Sequence, residues 1–235
     1  MSGDYTRCPF SIGLFIGTTA VVAFLTNLEK SKSTSSTTSP SLPICRVVFV
    51  VGGPGAGKGT QCALLEERLQ GGWKHLSAGD LLRAERKSGG ELGDLINKKI
   101  ANGELVPSSI TVKLIENAMG AAFKDEKITS FLIDGFPRSF ENMDAWNHTM
   151  KPHTIKFILD FECPEEVLVG RLLERGQSSG RSDDNIEVIR KRFQTHQQES
   201  MPVIKRCADE GIVIHKIESD QTKEQVYKKV EALFQ

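Results

Sequence analysis

The 235-residue chain is long enough for one large α/β domain with appendages. It carries 30 lysines and arginines against 30 aspartates and glutamates, so its net charge gives no argument for binding to nucleic acid or to an anionic membrane. The five cysteines are odd in number and lack C-x-x-C pairs. This pattern argues against a disulfide framework or a zinc site and favours a reducing compartment.

A hydrophobic extension occupies residues 1–30. Residues 8–28 contain no charged side chain, but five serine, threonine and asparagine residues dilute the run, which is close to the roughly 20 apolar residues that a membrane span needs. A weak anchor, a cleaved secretory signal and an organelle-targeting leader are the alternatives. Unpaired cysteines argue against the secretory signal, and a single arginine before the run suits a transit peptide poorly. We expect a weak anchor or leader with membrane association through residues 8–28, followed by a flexible Ser/Thr/Pro-rich linker over 31–45.

The next stretch predicts a strand that leads into a phosphate-binding loop. Residues 47–51 are apolar and mostly β-branched, and Gly52, Gly57 and Lys58 fit the pattern G-x-x-x-x-G-K. In that pattern backbone N–H groups surround phosphate oxygens, and the lysine reaches the terminal phosphates. A helix predicted over 61–69 would direct its positive end at the anion. Gly59 stands where the general motif has a hydroxyl ligand for Mg²⁺, and the hydroxyl follows at Thr60. The alternative is a tight turn with no ligand.

The segment after the loop predicts a short strand, a helix and an insertion. The strand ends at residue 76, and a helix starts over 77–80. Residues 85–104 are charged and interrupted by glycine, which predicts a helix hairpin outside the sheet; an apolar helix follows over 110–119. From composition alone, Arg83 would be a solvated surface residue.

Asp134 ends a second apolar strand, predicted over 131–134. A carboxylate at the carboxyl end of a buried strand beside a phosphate loop is well placed to associate with Mg²⁺. The alternative is an aspartate that caps the following helix.

The carboxyl-terminal third is rich in arginine. After a strand over 155–161 and a helix over 165–173, Arg175 and Arg181 flank a small segment of glycine and serine, which predicts a flexible lid over bound phosphate. Arginine offers paired donors to phosphate oxygens. A strand over 212–217 and a capping box at 222–225 begin the last β-α unit. The alternation of strands and helices predicts a parallel, doubly wound α/β sheet.

From about residue 46 to 235 the chain resembles the nucleoside monophosphate kinases of the adenylate kinase family. The resemblance lies in Gly-Gly-Pro-Gly-Ala-Gly-Lys-Gly-Thr at 52–60, Leu-Ser-Ala-Gly-Asp-Leu-Leu-Arg at 76–83, Asp-Gly-Phe-Pro-Arg at 134–138 and Arg-Gly-Gln-Ser-Ser-Gly-Arg-Ser-Asp-Asp at 175–184. Gly59 followed by Thr60 is the form usual in that family. Within the family the chain is most similar to the UMP-CMP kinases, through the lid sequence and Asn142.

The resemblance implies a P-loop NTPase-type parallel sheet flanked by helices, with a helical insertion that binds the nucleoside monophosphate (NMP) at about 77–107 and a short lid at about 175–185. It implies ATP-dependent phosphorylation of UMP or CMP, with dCMP as a further acceptor, and Mg²⁺ bound with ATP. It also implies a monomer that binds small nucleotides and no nucleic acid. The expected location is the cytoplasm, with the nucleus also compatible, while the extension leaves membrane tethering or organelle targeting open.

The resemblance also implies a role for individual residues. Those expected to bind ATP are Gly55, Ala56, Gly57, Lys58, Gly59, Thr60, Arg171, Arg175 and the backbone at Asp220. Those expected to bind the NMP are Ser77, Arg83, Glu104, Leu105, Val106, Gly135, Phe136, Pro137, Arg138, Asn142, Arg181 and Arg192. The expected catalytic group is Lys58, Arg138, Arg175, Arg181 and Arg192. Asp134 would hold Mg²⁺ through water, and Asp183 and Asp184 would orient lid arginines. Glu104 stands where many UMP-CMP kinases carry lysine, which leaves the ribose contact open.

Asn142 is the expected determinant of the acceptor base. Adenylate kinases place a glutamine at this position, one methylene longer. A carboxamide has both a donor and an acceptor, so by turning over it could meet the carbonyl of uracil or the amino group of cytosine. Two alternatives stay open: an adenylate kinase with AMP as acceptor, and a membrane-tethered protein that binds nucleotides without turnover.

Overall fold

The computed structural model describes residues 42–69, 72–150, 153–179, 181 and 183–235. The hydrophobic extension predicted over 1–30, and the linker predicted over 31–45 as far as residue 41, therefore lie outside the described residues. Within the described ranges, no helix combines the length and the apolar character that a membrane crossing requires.

Five parallel strands form the central sheet, which confirms the predicted fold class. In chain order they are β1 (Arg46–Gly52), β2 (Trp73–Ser77), β3 (Ser130–Asp134), β4 (Thr154–Glu162) and β5 (Ile214–Glu218). Their order across the sheet is β2-β3-β1-β4-β5. Strands β2 and β3 lie on one side of β1, and β4 and β5 lie on the other. The carboxyl end of β1 therefore faces the crevice between the two halves of the sheet, where ligands bind in folds of this type.

The helices run between and beyond the strands. They are α1 (Lys58–Arg68), α2 (Ala78–Lys87), α3 (Gly90–Ala101), α4 (Ser108–Glu126), α5 (Phe140–Thr149), α6 (Glu165–Ser179), α7 (Ile186–Thr195), α8 (Met201–Asp209) and α9 (Lys223–Glu231). A π-helical turn over His196–Ser200 joins α7 to α8, and a 3₁₀ turn over Ala232–Phe234 ends the chain.

Apolar side chains cover both faces of the sheet. Val47, Phe49 and Val51 point into a core with α4, α5 and α8, where the ring of Phe49 lies 5.0 Å from that of Trp146. Val48 and Val50 point to the opposite face and pack with α1, α6 and α9. Since successive side chains of a strand alternate between faces, a run that is apolar throughout is explained by helices on both sides.

Two helix boundaries differ from the sequence prediction. Helix α1 begins at Lys58 rather than at 61, because Gly57 adopts the left-handed conformation (φ 83°) and starts the helix directly after the loop. Helix α6 continues to Ser179, so the first part of the segment predicted as a flexible lid, residues 175–179, is helical. Its last turns are held by Arg175, which pairs with Asp184, a contact that composition does not reveal. The capping box at the start of α9 is present as predicted, between Thr222 and Gln225.

Candidate functional site

One cavity of about 880 Å³ opens at the carboxyl ends of β1 and β3. The structure gathers most of the predicted site residues around it: Gly55, Ala56, Gly57, Lys58, Gly59, Thr60, Ser77, Arg83, Glu104, Leu105, Val106, Asp134, Gly135, Arg138, Asn142, Arg171, Arg175, Arg181 and Arg192. The volume falls within the range of ligand pockets, about 300–1,000 Å³.

Three predicted residues lie elsewhere. Phe136 is fully buried in the core beside Phe49, and Pro137 lines a smaller cavity of about 80 Å³ behind the loop. Asp220 borders a separate shallow pocket, although its neighbours Ser219 and Gln221 line the main cavity. These residues could support the site through the backbone or through packing, and their side chains do not line the main cavity.

The glycine-rich loop is shaped by two different constraints. A Cβ at Gly52 would lie 2.4 Å from the carbonyl oxygen of Phe161, so the end of β1 can lie this close to β4 only without a side chain. At Gly57 a Cβ would meet nothing within 4 Å, and the requirement there is the left-handed backbone. The open space above Gly57 lies at the amino end of α1, which is a favourable position for an anion.

Lys58 extends back over this loop. Its Nζ donates to the carbonyl oxygens of Gly52 and Gly53, both at 2.8 Å. Burial lowers the pKa of Lys58 to about 8; the positive charges of Arg138 and Arg192 add to this, and Asp134 opposes it. The ammonium therefore lies among cations, and a bound phosphate would stabilise its charged form.

Asp134 lies at the floor of the cavity beneath the loop. Its side chain is 11% exposed, and its Oδ2 is 3.4 Å from His75 Nε2. A Cβ at Gly59 would come within 3.3 Å of the same oxygen, so a side chain there would crowd the carboxylate. Among the described residues, no three His, Cys, Asp or Glu side chains converge as a metal site. One carboxylate beside a phosphate loop fits Mg²⁺, which commonly keeps its waters and binds substrate phosphates.

Arg83 and Arg138 line the same cavity from different elements. Arg83 donates to Asp80 Oδ1 at 2.6 Å from within α2, and Arg181 Nη2 reaches the same oxygen from across the cavity at 3.2 Å. Arg138 donates from Nε to the carbonyl oxygen of Gly135 at 2.7 Å, and burial lowers its pKa to about 10. These contacts hold three guanidinium groups beside a space that an anion could fill.

Asp184 and Asp183 hold the remaining arginines, as the resemblance implies. Asp184 accepts two hydrogen bonds of 2.7 Å from Arg175 and one of 2.9 Å from Arg192. Burial by itself would raise the pKa of Asp184, but the hydrogen bonds and charges of the two arginines outweigh it and lower the pKa below its ordinary value. Asp183 lies 3.0 Å from Arg192.

Asn142 is nearly buried, 4% exposed, at the edge of the cavity. Its Oδ1 accepts from the backbone N–H of Arg138 at 3.0 Å, and its Nδ2 donates to Ser108 Oγ at 2.7 Å. Ser139, and not Asn142, caps helix α5. Asn142 therefore lies inside the first turn of α5, where its side chain is available to the cavity edge.

Two further predicted residues are engaged by neighbours. Arg171 donates to the carbonyl oxygen of Ser219 at 2.9 Å, which joins α6 to the segment after β5. Glu104 accepts from Lys99 at 2.6 Å and from Asn102 at 3.1 Å, so its carboxylate is turned partly toward the insertion.

Several cavity residues were not singled out from the sequence. Asp80 carries a signal, because it precedes Arg83 by three residues on one helix face. Gln61 follows the loop directly; its Nε2 donates to the carbonyl oxygen of Lys223, while its buried Oε1 has no partner. Ser108, which lies behind the cavity wall, was also not singled out, because its link to the site is a hydrogen bond to a side chain 34 positions away.

Comparison with known proteins agrees with this geometry. The model of the family described as adenylate kinase matches residues 50–212. The chain is 47% identical over 191 residues to UMP-CMP kinase of Gallus gallus, covering 80% of this chain and 96% of that protein. It is 49% identical over 188 residues to UMP-CMP kinase 3 of Arabidopsis thaliana and 48% over 186 residues to uridylate kinase of Saccharomyces cerevisiae, covering 80% and 79% of this chain and 88% of each relative. Sequence identity near one half over these lengths agrees with the phosphate loop, the arginine-lined cavity and the parallel sheet. The chain belongs to the adenylate kinase family.

Proposed function

We propose that this chain transfers the γ-phosphoryl group of ATP to UMP or CMP, and that dCMP is a further acceptor. The observation that carries the proposal is that Lys58 and six arginines line one cavity beside the buried carboxamide of Asn142. The cations suit a triphosphate that faces a monophosphate, and a carboxamide suits a pyrimidine edge. The similar proteins from Gallus gallus and Arabidopsis thaliana, named UMP-CMP kinases, support this choice of acceptor.

In this proposal the two nucleotides enter from opposite sides of the cavity. The loop over residues 55–60 and Arg171 hold ATP, and Arg83 and Arg138 grip the phosphate of the acceptor. Residues 77–107 form the acceptor insertion, and residues 175–185 act as the lid. The lid would move mainly as the end of a helix, because α6 extends to Ser179.

The transfer requires no protein nucleophile. A phosphate oxygen of the acceptor attacks the γ-phosphorus in line, and the bond to the β–γ bridging oxygen breaks to leave ADP. Charge on the transferring group is then neutralised by Lys58, Arg175 and Arg192. Closure around both substrates would exclude water, so that ATP is not hydrolysed.

Mg²⁺ bound with ATP would neutralise phosphate charge in this site. Asp134 would hold it through water, and Thr60 lies beside the same space at the start of α1. The absence of a dense ligand cluster among the described residues agrees with an ion that enters with its nucleotide.

The test is a substrate panel on the purified full-length chain. ATP with Mg²⁺ is offered with UMP, CMP, dCMP or AMP, and both diphosphate products are quantified by chromatography. We expect UDP and CDP, with kcat/KM for the better pyrimidine exceeding that for AMP by at least about tenfold. A tenfold preference for AMP would establish the adenylate kinase alternative, and nucleotide binding without any diphosphate product would establish the binding-only alternative. Lys58→Ala is the inactive control.

A further inference from the structure

We propose that Ser108 is a specificity-determining residue that acts by anchoring the carboxamide of Asn142 in place. The inference rests on the proposed function, because it assigns to Ser108 the setting of the pyrimidine-binding edge. Asn142 lines the cavity and Ser108 does not. Ser108 is therefore a positioning residue that acts through its neighbour.

The two hydrogen bonds of Asn142 define the orientation. The backbone N–H of Arg138 can only donate, so it must face Oδ1, and the distance between them is 3.0 Å. The Nδ2 group is then directed at Ser108 Oγ, which accepts at 2.7 Å. Both side chains are almost fully buried, 4% exposed for Asn142 and 1% for Ser108.

Turning the carboxamide over would bring two donors together at Arg138. The N–H of Arg138 would then face the Nδ2 group of Asn142 and lose its acceptor in a buried position. An unsatisfied buried donor costs about 1–3 kcal/mol. With both internal contacts kept, the carboxamide presents one edge to the cavity.

A fixed edge has a consequence for the acceptor. After its two internal bonds, the carboxamide keeps one N–H and one oxygen lone pair. Uracil has a donor at N3 and an acceptor at C4, whereas cytosine has an acceptor at N3 and a donor at C4. One fixed order of donor and acceptor matches one base better than the other. The N–H of Arg138 sets that order, because a hydroxyl can pair with either end of a carboxamide, and the Ser108 hydroxyl anchors the carboxamide in place.

Ser108 is a cleaner probe of this edge than Asn142. Asn142 also accepts from the backbone N–H of Arg138. The carbonyl oxygen of Arg138 accepts from Ser200 Oγ at 3.1 Å. Replacing Asn142 would therefore disturb an arginine that grips phosphate. Removing the Ser108 hydroxyl leaves both backbone contacts of Arg138 in place.

The experiment compares Ser108→Val with Ser108→Thr in the full-length chain. The two variants have nearly the same shape, and only threonine retains the hydroxyl. Values of kcat and KM are measured for UMP, CMP and ATP. We expect Ser108→Val to raise KM for the preferred pyrimidine and to change the ratio of kcat/KM for UMP to that for CMP by on the order of three- to tenfold, the worth of one hydrogen bond. Ser108→Thr should change that KM and that ratio by less than about twofold. The KM for ATP should stay constant in each variant.

A second pair tests whether the effect passes through Asn142. In chains that also carry Asn142→Ala, the ratio of kcat/KM for UMP to that for CMP should be the same in Ser108→Val and Ser108→Thr. The inference is overturned if Val and Thr behave alike when Asn142 is present, or if their difference persists without it. If the bulkier side chains lower the melting temperature, Ser108→Ala provides the same comparison without added volume. Absence of turnover with UMP and CMP in the unsubstituted chain would refute the proposed function and this inference together.

Discussion

Asp184→Asn should destabilise the chain strongly, because this carboxylate is completely inaccessible while it holds two arginines. Its side chain has 0% exposure and accepts from Arg175 at 2.7 Å twice and from Arg192 at 2.9 Å. Loss of one partner of a buried ion pair costs about 3–5 kcal/mol. Arg175 is still 33% exposed, so water recovers part of its solvation. We therefore expect a loss of about 2–4 kcal/mol in the free energy of unfolding.

Asp183→Asn is the matched control for this change. Asp183 is the neighbouring residue and is also buried, but among the residues that the structure describes it pairs only with Arg192, at 3.0 Å, and its Oδ1 has no partner there. Removing its charge should cost about 1 kcal/mol, roughly the worth of one polar contact. Urea denaturation of the three chains, followed by circular dichroism, measures both differences.

The pH dependence of the Asp184 effect follows from its lowered pKa. A carboxyl group whose pKa is lower in the folded state stabilises the protein above its unfolded pKa and loses that contribution as pH falls through the folded pKa. The difference between wild type and Asp184→Asn should therefore be constant from about pH 5 to 8 and shrink only below about pH 3.8. Because the charges are buried, about 0.5 M KCl should change it little. A loss no greater than that of Asp183→Asn, or one that salt abolishes, would refute the reasoning.

Three further outcomes are expected. Lys58→Ala and Arg138→Ala should each lower kcat with UMP by on the order of a hundredfold or more, since each removes a preorganised donor; near-normal turnover in steady-state assays would contradict their assigned roles. The value of kcat/KM for ATP should fall above about pH 8, where Lys58 loses its proton in the free enzyme, and Lys58→Arg should lack this fall because a guanidinium stays charged; an unchanged profile in that variant would assign the fall to another group. Trp146→Ala should lower the free energy of unfolding by about 3–5 kcal/mol through the cavity left beside Phe49. A loss below 1 kcal/mol by urea denaturation would show that the core collapses around the gap.

Local sequence patterns were sufficient for the fold class and for the phosphate loop. An apolar β-branched run, spaced glycines and one lysine specify a strand, a left-handed turn and a helix start within about a dozen residues, where the interactions are short in range. The position of Asp134 beside the loop was likewise predictable, because a carboxylate that ends a buried strand lies at the carboxyl edge of the sheet.

The partners of the polar side chains depended on the tertiary structure. Composition suggested a flexible lid after Arg175, yet helix α6 continues to Ser179 and Arg175 pairs with Asp184. The sequence alone left Asn142 free to turn over. Its orientation is set by the N–H of Arg138, four residues earlier. The hydroxyl that anchors it lies 34 residues earlier, a contact that exists only once α4 and α5 pack together. Residue types and spacing thus determined which chemistry the chain can carry, and long-range packing decided how each donor and acceptor is aimed, because hydrogen-bond direction depends on atoms that the local sequence does not place.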